Sequence, residues 1–171
     1  VELAKKAFEK DSSVVGLSSH FIDLDNKLGG FHPSDLIIIA GRPSMGKTSL
    51  ATNIAFNIAR DAHINKDSNS NVLFFSLEMS SEQLATRILS EQAKISSSDI
   101  RKGNVSENDL DNIVSVSKDI LEIPLFIDDT PAINVGSISS RARKLKRTNG
   151  LGAIVIDYLQ LVRPSKFSKN E

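Results

Sequence analysis

Within Gly41-Arg42-Pro43-Ser44-Met45-Gly46-Lys47-Thr48, two glycines bracket a turn, and a lysine and a hydroxyl follow the second. The spacing G-x-x-x-x-G-K-[ST] is that of a loop that wraps nucleoside phosphates. Glycines let the backbone curl until its N–H groups point at the β- and γ-phosphates. Lys47 adds a point charge and Thr48 offers its hydroxyl to Mg²⁺. The expected nucleotide-contacting set is Gly41, Arg42, Pro43, Ser44, Met45, Gly46, Lys47, Thr48 and Ser49, with a nucleoside triphosphate and Mg²⁺ as the bound species.

Two acids could complete a phosphoryl-transfer site. Asp157 follows the apolar run Ala153-Ile154-Val155-Ile156. A carboxylate at the end of a buried strand faces the crevice where α/β sheets bind ligands, and there it holds Mg²⁺, usually through water. Glu78 stands two residues past Val72-Leu73-Phe74-Phe75-Ser76. From spacing alone it reads equally as a general base for an attacking water or as an acid favoured by a helix dipole. Asp128 and Asp129, in Asp128-Asp129-Thr130-Pro131, read as a turn held by aspartate–backbone hydrogen bonds rather than as a second acid pair. Arg141-Ala142-Arg143-Lys144-Leu145-Lys146-Arg147 carries five cations and no acid. Ile138, Ala142 and Leu145 fit one buried stripe, so these cations occupy a solvated face, with a phosphate-tracking surface or a subunit contact as the alternative. His20, His32 and His63 show no ligand spacing and read as surface or turn residues.

These residues need a scaffold, and the chain supplies one by alternating strand and helix patterns. Leu36-Ile37-Ile38-Ile39-Ala40 is a continuous apolar run before the loop and predicts a buried parallel strand. A helix is expected over 48–60, then strands at 72–76, 125–127 and 153–156. Ser80 with Gln83 and Ser106 with Asp109 are capping-box signatures opening helices that run to about Ala93 and Leu121. A basic helix from about Val135 ends at Asn149-Gly150, and a small helix over 19–28 is stopped by Gly29-Gly30. The first ten residues place Leu3, Ala4, Ala7 and Phe8 on one side of a short helix, expected to serve as a linker over 1–13 ahead of a domain spanning 14–171. The fold class is therefore α/β, a mostly parallel sheet flanked by helices on both faces.

Composition agrees with a single domain. The 171 residues carry 21 Lys+Arg against 21 Asp+Glu, 40% hydrophobic residues and no cysteine. This excludes disulfides and thiolate chemistry, and it advertises no global attraction to nucleic acid or membrane. The longest apolar runs fall far short of a membrane span.

Four segments, in order, resemble the C-terminal motor domain of DnaB-type replicative helicases, members of the RecA-like P-loop NTPase group. They are Gly41-Arg42-Pro43-Ser44-Met45-Gly46-Lys47-Thr48-Ser49-Leu50-Ala51, Phe74-Phe75-Ser76-Leu77-Glu78-Met79-Ser80, Ile127-Asp128-Asp129-Thr130-Pro131 and Ile156-Asp157-Tyr158-Leu159-Gln160-Leu161. The approach from Ser19 to Leu28-Gly29-Gly30-Phe31 resembles the family too, so the likeness covers about Val14 to Arg163. It implies that Lys47 and Thr48 engage phosphates and Mg²⁺, that Lys47 and Glu78 are catalytic, and that Asp157 is the Walker B acid at the metal. It implies a homo-hexamer in the cytoplasm, at the replisome, that hydrolyses ATP to translocate on single-stranded DNA and unwind a fork, with primase and a helicase loader as partners and no membrane.

The family also carries a phosphate-sensing glutamine and an arginine finger beyond the position of Glu171, a primase-contacting N-terminal domain, and DNA-contacting loops beginning near 163–169. In RecA-like sheets a later strand lies between the P-loop strand and the Walker B strand. The expectation is thus a core whose C-terminal part is missing, competent at most to bind nucleotide. Other readings of the same motifs remain. A RecA- or RadA-like recombinase or clock-type relative would use the ATP chemistry without unwinding. A nucleotide-gated interaction module would bind ATP and assemble without turnover. A small-molecule P-loop kinase would need an arginine-bearing lid.

Overall fold

The structure, a computed structural model, describes residues 16–164. The linker helix expected at the N-terminus and most of 163–169 lie outside them. Three strands, β1 (Val72–Ser76), β2 (Leu125–Asp128) and β3 (Ala153–Asp157), form a wholly parallel sheet in the order β2-β1-β3. Every residue of β1 is buried, as a central strand with neighbours on both edges demands.

Alternation along β1 divides the core in two. Val72 and Phe74 join Ile54, Phe56, Ile58, Leu84 and Ile88 on one face. Leu73 and Phe75 join Ile133, Ile138 and Ala142 on the other. The first face is covered by α2 (Lys47–Asn65) and α3 (Ser81–Ala93), with α5 (Glu107–Glu122) packed outside α3. The second is covered by α6 (Val135–Thr148), whose Ile138 and Ala142 are buried while Arg143, Lys144, Lys146 and Arg147 face solvent. A solvated basic face was the expectation for that run.

Local signals set most boundaries. Both capping boxes are present, with Ser80 accepting from the Gln83 N–H and Ser106 from the Asp109 N–H. The helix α1 (Ile22–Leu28) begins later than expected but ends at Gly29, which takes the left-handed conformation at φ 70°. A one-and-a-half-turn helix, α4 (Ser97–Lys102), capped by Ser96, was not anticipated.

The expected strand at 36–40 is corrected. These residues join no ladder, and Leu36 and Ile38 are 87% and 73% exposed. Among the described residues β3 pairs only with β1, and nothing lies alongside residues 36–40 to accept their backbone hydrogen bonds. An apolar run without a neighbouring strand has nothing to form a ladder with. Among the described residues the sheet therefore has three strands where the sequence predicts four.

Candidate functional site

The site is built at one end of the sheet. A short connection leads from the last turn of α2 through a single 3₁₀ turn (Ser68–Ser70) into the start of β1. Helix α2 therefore runs antiparallel to the strands, and its first turn lies toward their carboxyl ends, the edge where open α/β sheets bind ligands. Glu78 follows β1, Asp128 and Asp129 close β2, and Asp157 closes β3 at that same edge.

The loop before α2 has the backbone that phosphate wrapping needs. Ser44 and Gly46 both have positive φ, 62° and 84°. At Gly46 the left-handed conformation favours glycine although the space beside it is open. Gly46 is the N-cap of α2 and no side chain caps the helix, so its first N–H groups are free to bind an anion. Lys47 folds back across the loop and its Nζ donates to the carbonyls of Gly41 at 2.9 Å and Arg42 at 3.0 Å. This places the ammonium over the concave side of the turn. An open hollow of about 500 Å³ is lined by Ile39, Gly41, Arg42, Met45, Lys47 and Leu50, within the size range of small-molecule sites. Pro43 and Ser44 form the exposed tip of the turn, and Thr48 and Ser49 are half-buried in the first turn of α2.

Asp157 is 7% exposed, and its Oδ2 has no hydrogen-bond partner among the described residues. In register it stands opposite Ser76, and alternation puts it on the face that α2 covers. Its backbone carbonyl accepts the Leu77 N–H at 2.8 Å, and the peptide bond to Tyr158 is cis. The hydroxyl of Thr52, one turn into α2 from Thr48, is likewise buried without a partner. A buried carboxylate oxygen in this condition marks the place of a water or an ion. Mg²⁺ fits the donor set, since it prefers one or two carboxylates plus phosphate oxygens and water to an all-protein cage.

Glu78 is exposed on the turn between β1 and α3. The turn itself is fastened by the Ser76 hydroxyl, which donates to the Met79 carbonyl at 2.7 Å, and by the Leu77–Asp157 backbone bond. Asp128 makes the turn contact that the turn reading expects, while Asp129 accepts instead from the first residue of α3. Oδ1 of Asp128 accepts the Thr130 N–H at 3.1 Å, and its Oδ2 pairs with Arg141. Burial alone would raise the Asp128 carboxyl, but hydrogen bonds from Arg141 and Thr130 and the Arg141 charge hold it below the ordinary aspartate value.

Three of the features that brace the site left no signal in the sequence. They are the Arg141–Asp128 pair, the Asp129 contact with α3, and a lock around Asp25. The buried Asp25 carboxylate accepts from the hydroxyls of Ser18 and Ser19 and from the N–H groups of Ser19 and His20 at 2.6–3.1 Å. Asn57 of α2 donates to the Ser19 carbonyl at 3.2 Å, fastening this lock to the helix that carries the loop.

Comparison with known proteins decides what the arrangement belongs to. Residues 16–171 match the DnaB-like helicase C-terminal domain model. The chain belongs to that family. It is 48% identical over 170 residues to the replicative DNA helicase DnaB of Rickettsia typhi, covering 96% of this chain and 34% of that protein. With DnaB of Geobacillus stearothermophilus it shares 42% over 160 residues, 94% of this chain and 34% of that one. A solved DnaB-like replicative helicase, described with its interactions with primase, superposes with a TM-score of 0.84 at 30% identity, covering 99% of this chain and 41% of that one. The chain thus spans about a third of the length of these curated relatives. Membership makes the α/β core a RecA-like nucleotide-binding fold of the DnaB type. No helix among the described residues is long and apolar enough to cross a membrane.

Proposed function

We propose that this chain supplies the nucleotide site of a replicative DNA helicase motor, with residues 14–171 forming part of one RecA-like unit and 1–13 a linker ahead of it. The observation that carries the reading is Asp157. It is a buried carboxylate with an unpartnered oxygen, at the same sheet edge and on the same face as an uncapped helix N-terminus.

In this reading the loop from Gly41 to Ser49, through the backbone N–H groups of its residues other than Pro43, and the Lys47 ammonium bind the β- and γ-phosphates of ATP. Lys47 exchanges the carbonyls of Gly41 and Arg42 for phosphate oxygens. Thr48 and Asp157 would hold Mg²⁺, which when bound neutralises phosphate charge. Glu78 orients a water and takes its proton as the water oxygen attacks the γ-phosphorus. The bond to the bridging oxygen breaks, and ADP and phosphate leave. A positioned base of this kind is worth about 10²–10⁴ in rate. The assembly is a homo-hexamer translocating on single-stranded DNA at the replisome in the cytoplasm, with primase and a loader as partners. Residues 36–40, bare and unpaired, support a narrower statement for the 171-residue chain alone, namely nucleotide binding without efficient DNA-stimulated turnover.

The test is strand displacement on forked DNA with ATP and Mg²⁺, using the full-length gene product beside its Glu78→Gln variant. ATP-dependent unwinding is expected, with hydrolysis down about 10²–10⁴-fold in the variant and nucleotide affinity retained. Hydrolysis without unwinding would move the protein to the recombinase or clock-type branch. Binding without hydrolysis would make it a nucleotide-gated assembly module.

A further inference from the structure

The turn that carries Glu78 is held from outside as well as from within. Ser81, the first residue of α3, donates its backbone N–H to Oδ2 of Asp129 at 2.7 Å, across 48 residues of sequence. Asp129 sits just past β2, on the far side of β1 from Asp157. The Glu78 turn is therefore stapled on both flanks, to the Asp157 carbonyl through Leu77 and to the Asp129 carboxylate through Ser81. Asp129 is itself braced through its neighbour. Arg141 of α6 bonds Asp128 and also donates to the Thr130 hydroxyl at 2.6 Å, while Asp128 closes the turn on the Thr130 N–H.

We infer that Asp129 is a positioning residue for Glu78, holding the base-bearing turn in register with Asp157 through the Ser81 N–H. The inference rests on the assignment of Glu78 as the base. The contact has a specific chemistry. A carboxylate accepting from a helix's first-turn N–H makes a charge-assisted hydrogen bond and meets the positive end of the helix dipole. The same hydrogen bond pulls the Asp129 carboxyl below the ordinary aspartate value. Ser80 already caps α3 by accepting from Gln83, so the helix has its own cap without Asp129. The Asp129 contact is therefore surplus to helix formation, and its consequence is where the turn sits. Misplacing a catalytic group by about 1 Å costs up to about 10²-fold in rate.

The experiment uses the full-length gene product and removes the contact from either side. Asp129→Ala deletes the acceptor. Ser81→Pro deletes the donor in a position where proline suits a helix start, behind a Ser80 whose φ −67° and ψ 157° suit a residue preceding proline. Both are expected to lower kcat for ATP hydrolysis about 10–100-fold while KM and nucleotide affinity stay put, and Asp129→Asn should recover part of the loss. In a Glu78→Gln background neither change should lower hydrolysis further, because no base remains to be placed. Unchanged kcat in Asp129→Ala or in Ser81→Pro overturns the inference. An equal fold-loss with and without Glu78 overturns it too, since Asp129 would then act on the fold at large. Full hydrolysis by Glu78→Gln alone is a separate result that removes the base assignment itself, and the inference with it.

Discussion

Two five-residue segments, 36–40 and 72–76, the first wholly apolar and the second apolar up to Ser76, are alike as sequence and opposite as structure. β1 is buried at every position between two parallel partners. Residues 36–40 pair with nothing among the described residues, and Leu36 stands 87% exposed. The contrast shows that an apolar run records a strand's need for neighbours and does not supply them. It also shows how the glycine-rich loop before α2 is mounted. The loop leaves into α2, a 19-residue helix with seven buried residues, and is entered from a segment that joins no ladder among the described residues. Its anchorage is one-sided, and α2 carries most of it.

The sharpest way to press the comparison is to cut into the paired run. Phe74 is fully buried among Ile54, Phe56, Leu84 and Ile88. Phe74→Ala should cost about 3–5 kcal/mol, from lost transfer energy and the cavity left behind. That is a large part of a domain's total stability, read as a drop in urea midpoint at constant slope. A loss near that of a surface substitution would mean that β1 is not the centre of the fold.

The next effect is smaller and tests how α2 is held. Asp25→Ala leaves the buried Ser19 N–H and the hydroxyls around it without their acceptor, and about 1–3 kcal/mol should be lost. Stability should also depend on acid through this group. Burial by itself would raise the Asp25 carboxyl, but hydrogen bonds from Ser18, Ser19 and His20 outweigh it and bring the folded value below 3.8. A group depressed on folding contributes its stability above the unfolded value. That contribution should fade as pH falls through 3.8 and be gone below the folded value. Urea midpoints between pH 7 and pH 2, compared with those of Asp25→Asn, measure it. An unchanged acid slope in the variant would show that this lock does not titrate with the fold.

What was legible in the sequence was local. β1, α3 and α5 read almost to the residue because their signals, an unbroken apolar run and two capping boxes, are complete within a few positions. Glu78 and Asp157 were legible as candidates because each follows or ends a run that closes at the carboxyl edge of the sheet, whereas the loop was legible from its own glycine–lysine spacing. Helix α2 reaches Asn65 rather than 60 because the buried Ala62 carries the Ile54–Ile58 stripe one turn further, a single small residue set among the polar Asp61, His63 and Asn65. Helix α1 starts at Ile22, three residues after the expected Ser19, because Asp25 bonds back to Ser18, Ser19 and His20 and holds them outside the helix. The contacts that brace the site were illegible for a different reason. Asp129 to Ser81 and Asn57 to Ser19 join residues 48 and 38 positions apart, and no pattern along the chain marks such a pair.

The smallest expected effect is the one that most directly tests the other run. Ile38 is 73% exposed and pairs with no strand. In the 171-residue chain Ile38→Ser should therefore change stability by no more than about 0.5 kcal/mol, the usual range for a surface substitution. Amides at 36–40 should exchange with solvent far faster than those of β1, because exchange tracks the cost of exposing each hydrogen bond and these make none to backbone among the described residues. Four adjoining exposed aliphatic side chains are also a patch that invites association, so the measurement belongs across a dilution series. A cost of about 2 kcal/mol or more that disappears on dilution would place a second copy of the chain over this run. The same cost at every concentration would mean that 36–40 is packed within the monomer after all, and the phosphate loop would then be anchored on both sides.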